Sequence, residues 1–210
     1  MSYKDDYSAV FIDEVNCKKM MLPYQSAVKI MIAQLESMDE EMKCNTSHSA
    51  IHSIKHRIKT PESIIEKLNR KNLPVSIDGF NQLYDIGGIR VICKYIDDIY
   101  YIRKLLLQHH DIVLVKESDY FKNPKENGYR SLHIIVSIPV YLENEMIKVP
   151  VEIQIRTIAM DMWASLEHQL RYKNPHNVSL DIYTQLKDCA ETINETDEKM
   201  QEIYKKLQKI

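Results

Sequence analysis

The chain has 210 residues, with 28 basic against 30 acidic side chains and a formal net charge of −2. That length supports one domain with helical additions and an adequate core. The charge balance excludes a global electrostatic pull toward nucleic acid or an anionic membrane, so any anion site must be a local cluster. Four cysteines, Cys17, Cys44, Cys93 and Cys189, stand far apart without C-x-x-C spacing. They argue for free thiols in a reducing cytoplasm, against disulfides or a zinc site. No apolar run approaches the roughly 20 residues that span a bilayer, and the N-terminus lacks the pattern of a signal peptide. With only 4 glycines, the chain holds neither G-x-G-x-x-G nor a Walker-type lysine loop.

Ser8–Met21 reads as a first helix with weak periodicity. From Tyr24 to Met42 apolar residues recur at spacings of three and four, the stripe of an amphipathic helix, and Pro23 suits its start. The methionines of that stripe read as a packing or self-association face. His48, His52 and His56 stand four apart, as helical metal ligands would. The serines around them and the alternation after them speak against a helix, and so against a metal there. Ser53–Thr60 alternates as a strand that projects Lys55, Arg57 and Lys59 from one face.

Thr60-Pro61-Glu62 reads as an N-cap, a first-turn proline and a first-turn acid. On the helix that begins there, Ser63 and Lys67 share a face. Two cations leaving a strand, then a hydroxyl and a third cation on the next helix, could cradle a polyphosphate or merely be a solvated basic face. Leu73–Gln82 reads as a loop. Tyr84–Cys93 is an apolar strand broken by Asp85, Gly87-Gly88 and Arg90. An unpaired carboxylate is costly to bury, so Asp85 belongs at a sheet end or beside a cation, and paired glycines suggest a bulge or close backbone approach.

Tyr95–His109 is helical, and the His109-His110-Asp111 run reads as its end. Ile112–Lys116 is a short strand. Asp119–Arg130 is a loop by its Asn-Pro and Asn-Gly signals, with Lys122, Lys125 and Arg130 beside Tyr120, Phe121 and Tyr129; cations among aromatics suit a nucleotide. Ser131–Pro139 is a strand, Glu143–Glu145 a turn, and Lys148–Thr157 a strand of strict alternation. Its valines and isoleucines point one way; Glu152, Gln154 and Arg156 point the other, about 7 Å apart. Thr157–Tyr172 is a helix with Ile158, Met162, Leu166 and Leu170 on one face, closed by Asn174-Pro175. Ser179–Ile210 is a long amphipathic helix. The order implies an α+β fold: a mixed sheet with helical cover, with helical extensions at 1–44 and 174–210 around a domain at 45–173.

Four stretches stand together: Arg57-x-Lys59-x-Pro61-x-Ser63; Asp85-Ile-Gly-Gly-Ile-Arg90-Val; Asn123-Pro-Lys-x-Asn-Gly-Tyr-Arg-Ser-Leu-His133; and Glu152-Ile-Gln-Ile-Arg-Thr157. In this order they resemble the synthetase domain of the RelA/SpoT-homologue family, over roughly 45–173, and the short length is similar to its small alarmone synthetases. The resemblance implies a nucleotidyltransferase-like fold. It also implies a GTP pyrophosphokinase activity in a stringent stress response, moving the β,γ-pyrophosphate of ATP to the ribose 3′-hydroxyl of GTP or GDP. By the same resemblance Asp85 and Glu152 match magnesium-site acids, Glu152 being also the base for the hydroxyl. Arg57 and Arg90 match an adenine sandwich, and Lys59, Ser63 and Lys67 match groups on the ATP phosphates. Tyr129 matches a guanine-stacking residue, with Lys125, Asn127, His133 and Gln154 around the acceptor.

Two positions depart from the family pattern. Gly88 replaces a common alanine without evident harm, and Ser118 stands where relatives often carry lysine, which bears on the choice between GTP and GDP. The resemblance further implies synthesis without hydrolysis and a homotetramer joined through helices. It leaves open an allosteric (p)ppGpp site, RNA regulation, and a nucleotide- or RNA-binding regulator without turnover.

Overall fold

A computed structural model describes residues 14–46, 48–173 and 180–209; the expected residues 8–13 of the first helix and the Asn174-Pro175 stop lie outside them. The described chain runs α1 (Glu14–Thr46), β1 (Ile51–Ile58), α2 (Pro61–Arg70), α3 (Ile77–Asn81), β2 (Gly87–Cys93), α4 (Ile96–Leu106), β3 (Val113–Asp119), β4 (Leu132–Tyr141), β5 (Met146–Thr157), α5 (Ile158–Lys173) and α6 (Leu180–Leu207). The five strands form one sheet in the order β1-β2-β5-β4-β3. β2 pairs in parallel with β5, and the other three pairings are antiparallel. The mixed sheet under helical cover is the α+β architecture that the element order implies.

The alternation of β5 sets the two faces. Val149, Val151, Ile153 and Ile155 are buried with Val91, Ile134 and Val136 in the main core. Helices α1 and α4 cover that side with Ala27, Met31 and Leu35, and with Ile99, Ile102 and Leu106, all fully buried. The opposite face carries a transverse row in register: Lys55, Arg90, Gln154, His133 and Ser118. Beside it run Arg57, Gly88, Glu152 and Ile135. The 2-residue side-chain period makes this row an automatic consequence of burying the other.

Two local expectations need correction. Pro23 lies inside a single helix α1 instead of starting a second one. A proline removes one intrahelical bond, but Met21, Pro23 and Tyr24 are all buried, and that packing carries the helix through. The expected loop at Leu73–Gln82 holds the one-turn helix α3, because the Ser76 side chain accepts from the Gly79 N–H at 3.3 Å as an N-cap does. The other bounds shift by a few residues; β1, for example, begins at Ile51 and ends at Ile58.

Helix α6 is strapped over one end of the molecule. The Trp163 indole donates to the Leu186 carbonyl at 3.0 Å, Arg130 to Glu191 at 2.8 Å, and the Asp97 N–H to Gln201 at 2.9 Å. Tyr95 and Tyr204 stack with centroids 4.2 Å apart.

The paired glycines of β2 face different neighbours. A Cβ at Gly87 would lie 2.9 Å from Val28 of α1, whereas one at Gly88 would meet Arg57 at 3.7 Å, an ordinary contact. Gly87→Ala should therefore destabilise by about 1–3 kcal/mol through overpacking, and Gly88→Ala should leave stability nearly unchanged. Thermal unfolding of the two variants checks this; equal losses would contradict it.

Candidate active site

The sheet's polar face holds two adjoining depressions. A cavity of about 170 Å³ is lined by Lys55, Arg57, Gly88, Arg90, Glu152 and Gln154. A wider groove of about 590 Å³ is lined by Lys125, Asn127, Tyr129, His133, Arg156 and Glu167, and shares Arg57, Arg90 and Gln154 with the first. Strand pairing brings these residues together from positions far apart in sequence.

A separate ion cluster sits at the start of β2. Asp85 lies just before the strand, and its Oδ2 accepts from the ammonium groups of both Lys59 and Lys67. Lys59 is anchored at the end of β1 by its N–H on the Ile86 carbonyl, 2.9 Å, and Lys67 comes from α2. Burial acts to raise the Asp85 carboxyl, but the hydrogen bonds from the two lysines outweigh it and hold the group below its ordinary value. Burial depresses the Lys59 ammonium despite that partner. The carboxylate thus lies at a sheet end and beside cations. Ser63 is exposed on the first turn of α2, where its N–H donates to the Thr60 hydroxyl at 3.4 Å; it lines neither depression.

The groove is organised by Arg156, which is 5% exposed. Its Nη1 donates to Asp161 Oδ1 at 3.3 Å. Its Nη2 donates to the Tyr129 hydroxyl at 2.7 Å and to Gln154 Oε1 at 3.0 Å. A guanidinium can only donate, so these bonds set the direction of their neighbours' own hydrogen bonds. Gln154 turns its amide nitrogen to Glu152 Oε2 at 3.2 Å. The Tyr129 proton points to His133 Nε2, 2.8 Å away. That assigns the His133 proton to Nδ1, which lies 3.7 Å from Glu152 Oε1. Burial first, then Arg156, Lys125 and Arg90, push the His133 pKa down from 6.5 to about 3, so the ring is neutral at ordinary pH.

Tyr129 is 9% exposed. Lys125 lies 4.9 Å from its ring centroid and Arg156 lies 5.0 Å from it. Asn127 shapes the loop: its carbonyl oxygen accepts the Tyr129 N–H at 3.2 Å, and its amide donates to Glu167 at 3.2 Å. Gly128 has φ +82°, and a Cβ there would come within 2.6 Å of Ala190 on α6; both the turn and the strapping helix demand glycine.

Asp161, in the first turn of α5, is absent from the sequence-derived site. It is buried and accepts from Lys55 at 2.9 Å, from Arg90 at 3.2 Å and from Arg156. Arg156, left without a role by its sequence pattern, is the centre of the groove. The available signal was a buried-helix acid five residues after a strand-ending arginine. Among the described residues no three His, Cys, Asp or Glu side chains converge as a metal cage, which includes the His48, His52 and His56 series. Asp85, just before β2, and Glu152, within β5 opposite Gly88, remain as hard oxygen donors on neighbouring paired strands. Only Oδ2 of Asp85 is taken by the lysines. Two such donors fit a hard cation that completes its shell with phosphate and water oxygens.

A mixed sheet carrying two acids, a lysine cluster and an aromatic groove fits the class of nucleotide-handling transferases. A family model described as "Region found in RelA / SpoT proteins" matches residues 56–177, and the chain belongs to this family. It is 40% identical over 208 residues to the GTP pyrophosphokinase YwaC of Bacillus subtilis (strain 168), covering 99% of this chain and 98% of that protein. The crystal structure of the small alarmone synthetase 2 from Bacillus subtilis superposes with a TM-score of 0.83 at 42% identity, covering 90% and 99% of the two chains. That of small alarmone synthetase 1 from the same organism, bound to its product pppGpp, gives 0.83 at 34% identity, covering 91% and 97%.

The histidine carries a prediction. With its pKa at about 3 in the folded chain against 6.5 free, the unfolded state takes up a proton below about pH 6.5 that the folded state resists. Stability therefore falls as pH drops from there toward 3. Asp85 acts lower: its depressed carboxyl stabilises above the unfolded value and loses that as pH falls through the folded one. Between pH 7 and 5, His133 alone should remove about 2 kcal/mol. Urea unfolding of His133→Gln should show a correspondingly flatter loss; curves parallel to the parent would exclude a neutral buried ring.

Proposed function

We propose that the chain is a GTP pyrophosphokinase, an ATP:GTP 3′-diphosphotransferase making pppGpp or ppGpp and AMP in a stringent stress response. The observation that carries the reading is the face shared by Glu152, Gln154, Arg57 and Arg90, flanked by the Lys59–Lys67–Asp85 cluster and the Tyr129 groove. The family membership and the GTP pyrophosphokinase relatives support it.

On this reading the ATP phosphates replace Asp85 on Lys59 and Lys67, with Ser63 at the helix N-terminus beside them. The exchange keeps the ammonium pair partnered: one carboxylate leaves it and a polyanion arrives. Arg57 and Arg90 flank the adenine, since guanidinium planes stack on purines. Guanine of GTP or GDP takes the Tyr129 ring face, displacing the Lys125 ammonium toward the acceptor phosphates, while Asn127, His133 and Gln154 border the acceptor. Asp85 and Glu152 would hold Mg²⁺, whose chemistry there is neutralisation of phosphate charge and acidification of a nearby hydroxyl.

Glu152 takes the proton of the 3′-hydroxyl as that oxygen forms its bond to the β-phosphorus. The bond from the β-phosphorus to the oxygen bridging it to the α-phosphate breaks, and AMP leaves with that oxygen. The neutral His133 adds no charge beside Glu152, which leaves the carboxylate free to accept. Gln154 orients it by a single donated bond. Much of the rate then comes from alignment and electrostatics, as is general for phosphoryl transfer.

We also propose a cytoplasmic homotetramer. Ile158, Met162, Leu166 and Leu170 form an exposed stripe at four-residue spacing on α5, with Met200, Ile203 and Leu207 exposed on α6. Apolar exposure on this scale marks an association surface, and no described helix is long and apolar enough to cross a membrane.

Incubating purified protein with Mg²⁺, ATP and each of GMP, GDP and GTP, then separating the nucleotides, should yield AMP and a 3′-pyrophosphorylated guanosine nucleotide. Glu152→Gln and Asp85→Asn should each lower turnover by about a hundredfold or more; full activity in both would remove their assigned roles. Light scattering should give a tetramer mass that Leu166→Glu reduces without loss of helicity. A monomeric parent would end the assembly proposal.

A further inference from the structure

The two nucleotide subsites share one anchor. Asp161 Oδ1 accepts from Arg90 at 3.2 Å and from Arg156 at 3.3 Å, while Oδ2 accepts from Lys55 at 2.9 Å. Asp161 is 6% exposed and comes from the first turn of α5, whereas its three partners come from β5, β2 and β1. It is the only hydrogen-bond partner of the Arg90 guanidinium among the described residues, and the Arg90 Nε is buried without a partner. Removing Asp161 would leave two guanidiniums and an ammonium together with no counter-charge. Their mutual repulsion would drive them apart, the more strongly because the site is partly withdrawn from water.

We propose that Asp161 is a positioning residue that fixes both nucleotide subsites at once: Arg90 directly, and Tyr129, Gln154 and thereby Glu152 through Arg156. The proposal rests on the GTP pyrophosphokinase reading of this site. Along one arm the carboxylate holds Arg90 against the cavity that takes the donor base. Along the other, the Asp161-bound Arg156 fixes the Tyr129 hydroxyl and the Gln154 carbonyl. The first stabilises the aromatic ring under the acceptor base; the second dictates which end of the Gln154 amide meets Glu152. Because Asp161 touches neither cavity, its effect is on binding geometry at both subsites, with no direct part in bond making.

The test uses the full chain and two variants. Asp161→Asn keeps the shape and one acceptor oxygen but removes the charge. It should raise KM for ATP and for GTP by roughly tenfold each, the scale of a lost charge-assisted bond, with a smaller fall in kcat. Calorimetric titration with a non-hydrolysable ATP analogue should show the same loss of affinity independently of turnover. A purely structural role would instead lower the active fraction, reducing kcat with both KM values unchanged, and that result would overturn the proposal.

Arg156→Lys keeps a cation and loses the fork. It should raise KM for GTP several-fold and leave analogue affinity at the ATP subsite within about twofold. An unchanged GTP KM, or an equal loss at both subsites, overturns the linkage even if Asp161→Asn fails to fold. Absence of AMP from the parent protein would instead be the failure of the functional reading itself.

Discussion

Arg156 carries a permanent charge at 5% exposure, and a charge so far from water is tolerated only where it is paired and its donors are used. Asp161 supplies the counter-charge; the Tyr129 hydroxyl and the Gln154 carbonyl take the remaining bonds. Since the arginine can only donate, each neighbour's hydrogen-bond direction is set in turn, out to the neutral His133 and the Glu152 carboxylate. The groove is thus ordered in the free chain, which is what the proposed alignment-dependent reaction requires. The sheet beneath makes this arrangement feasible, because the parallel pairing of β2 with β5 sets Arg90 opposite Gln154 and Gly88 opposite Glu152.

A different balance governs the proposed phosphate end. Lys59 and Lys67 both bind Asp85, so one of their two positive charges is offset and their mutual repulsion in the free site is reduced. Asp85 itself is held ionised by those same cations. On the proposed reading the cluster exchanges the Asp85 oxygens for those of a polyphosphate, so the two ammonium groups stay partnered throughout. Helix α2 contributes its N-terminal turn to the same end, capped by Thr60, with the macrodipole favouring negative charge there.

Much of this was legible in the sequence, for identifiable reasons. The strict alternation from Val149 to Arg156 specified which side chains share a face, because a strand with one buried face has no other register open to it. Thr60-Pro61-Glu62 announced the start of α2 by local chemistry alone, and Asp85 was assigned to a sheet end beside a cation on the cost of burying it unpaired. Pro23 misled because local propensity yields to tertiary burial, and its neighbours Met21 and Tyr24 lie in the core. Asp161 went unseen because its meaning depends on three partners from 5 to 106 positions away, a convergence that periodicity does not encode. Arg156 was placed on the right face, but its centrality emerges only once Tyr129 and Asp161 are brought against it.

The central claim is that the site moves a pyrophosphoryl group from ATP to a guanosine nucleotide, and the fate of the β-phosphorus reports on it most directly. Purified protein given ATP labelled at the β-phosphate, with GTP and Mg²⁺, should transfer the label to the guanosine nucleotide while unlabelled AMP appears in equal amount. Label recovered in ADP or inorganic phosphate, with none on the guanosine nucleotide, would contradict the account.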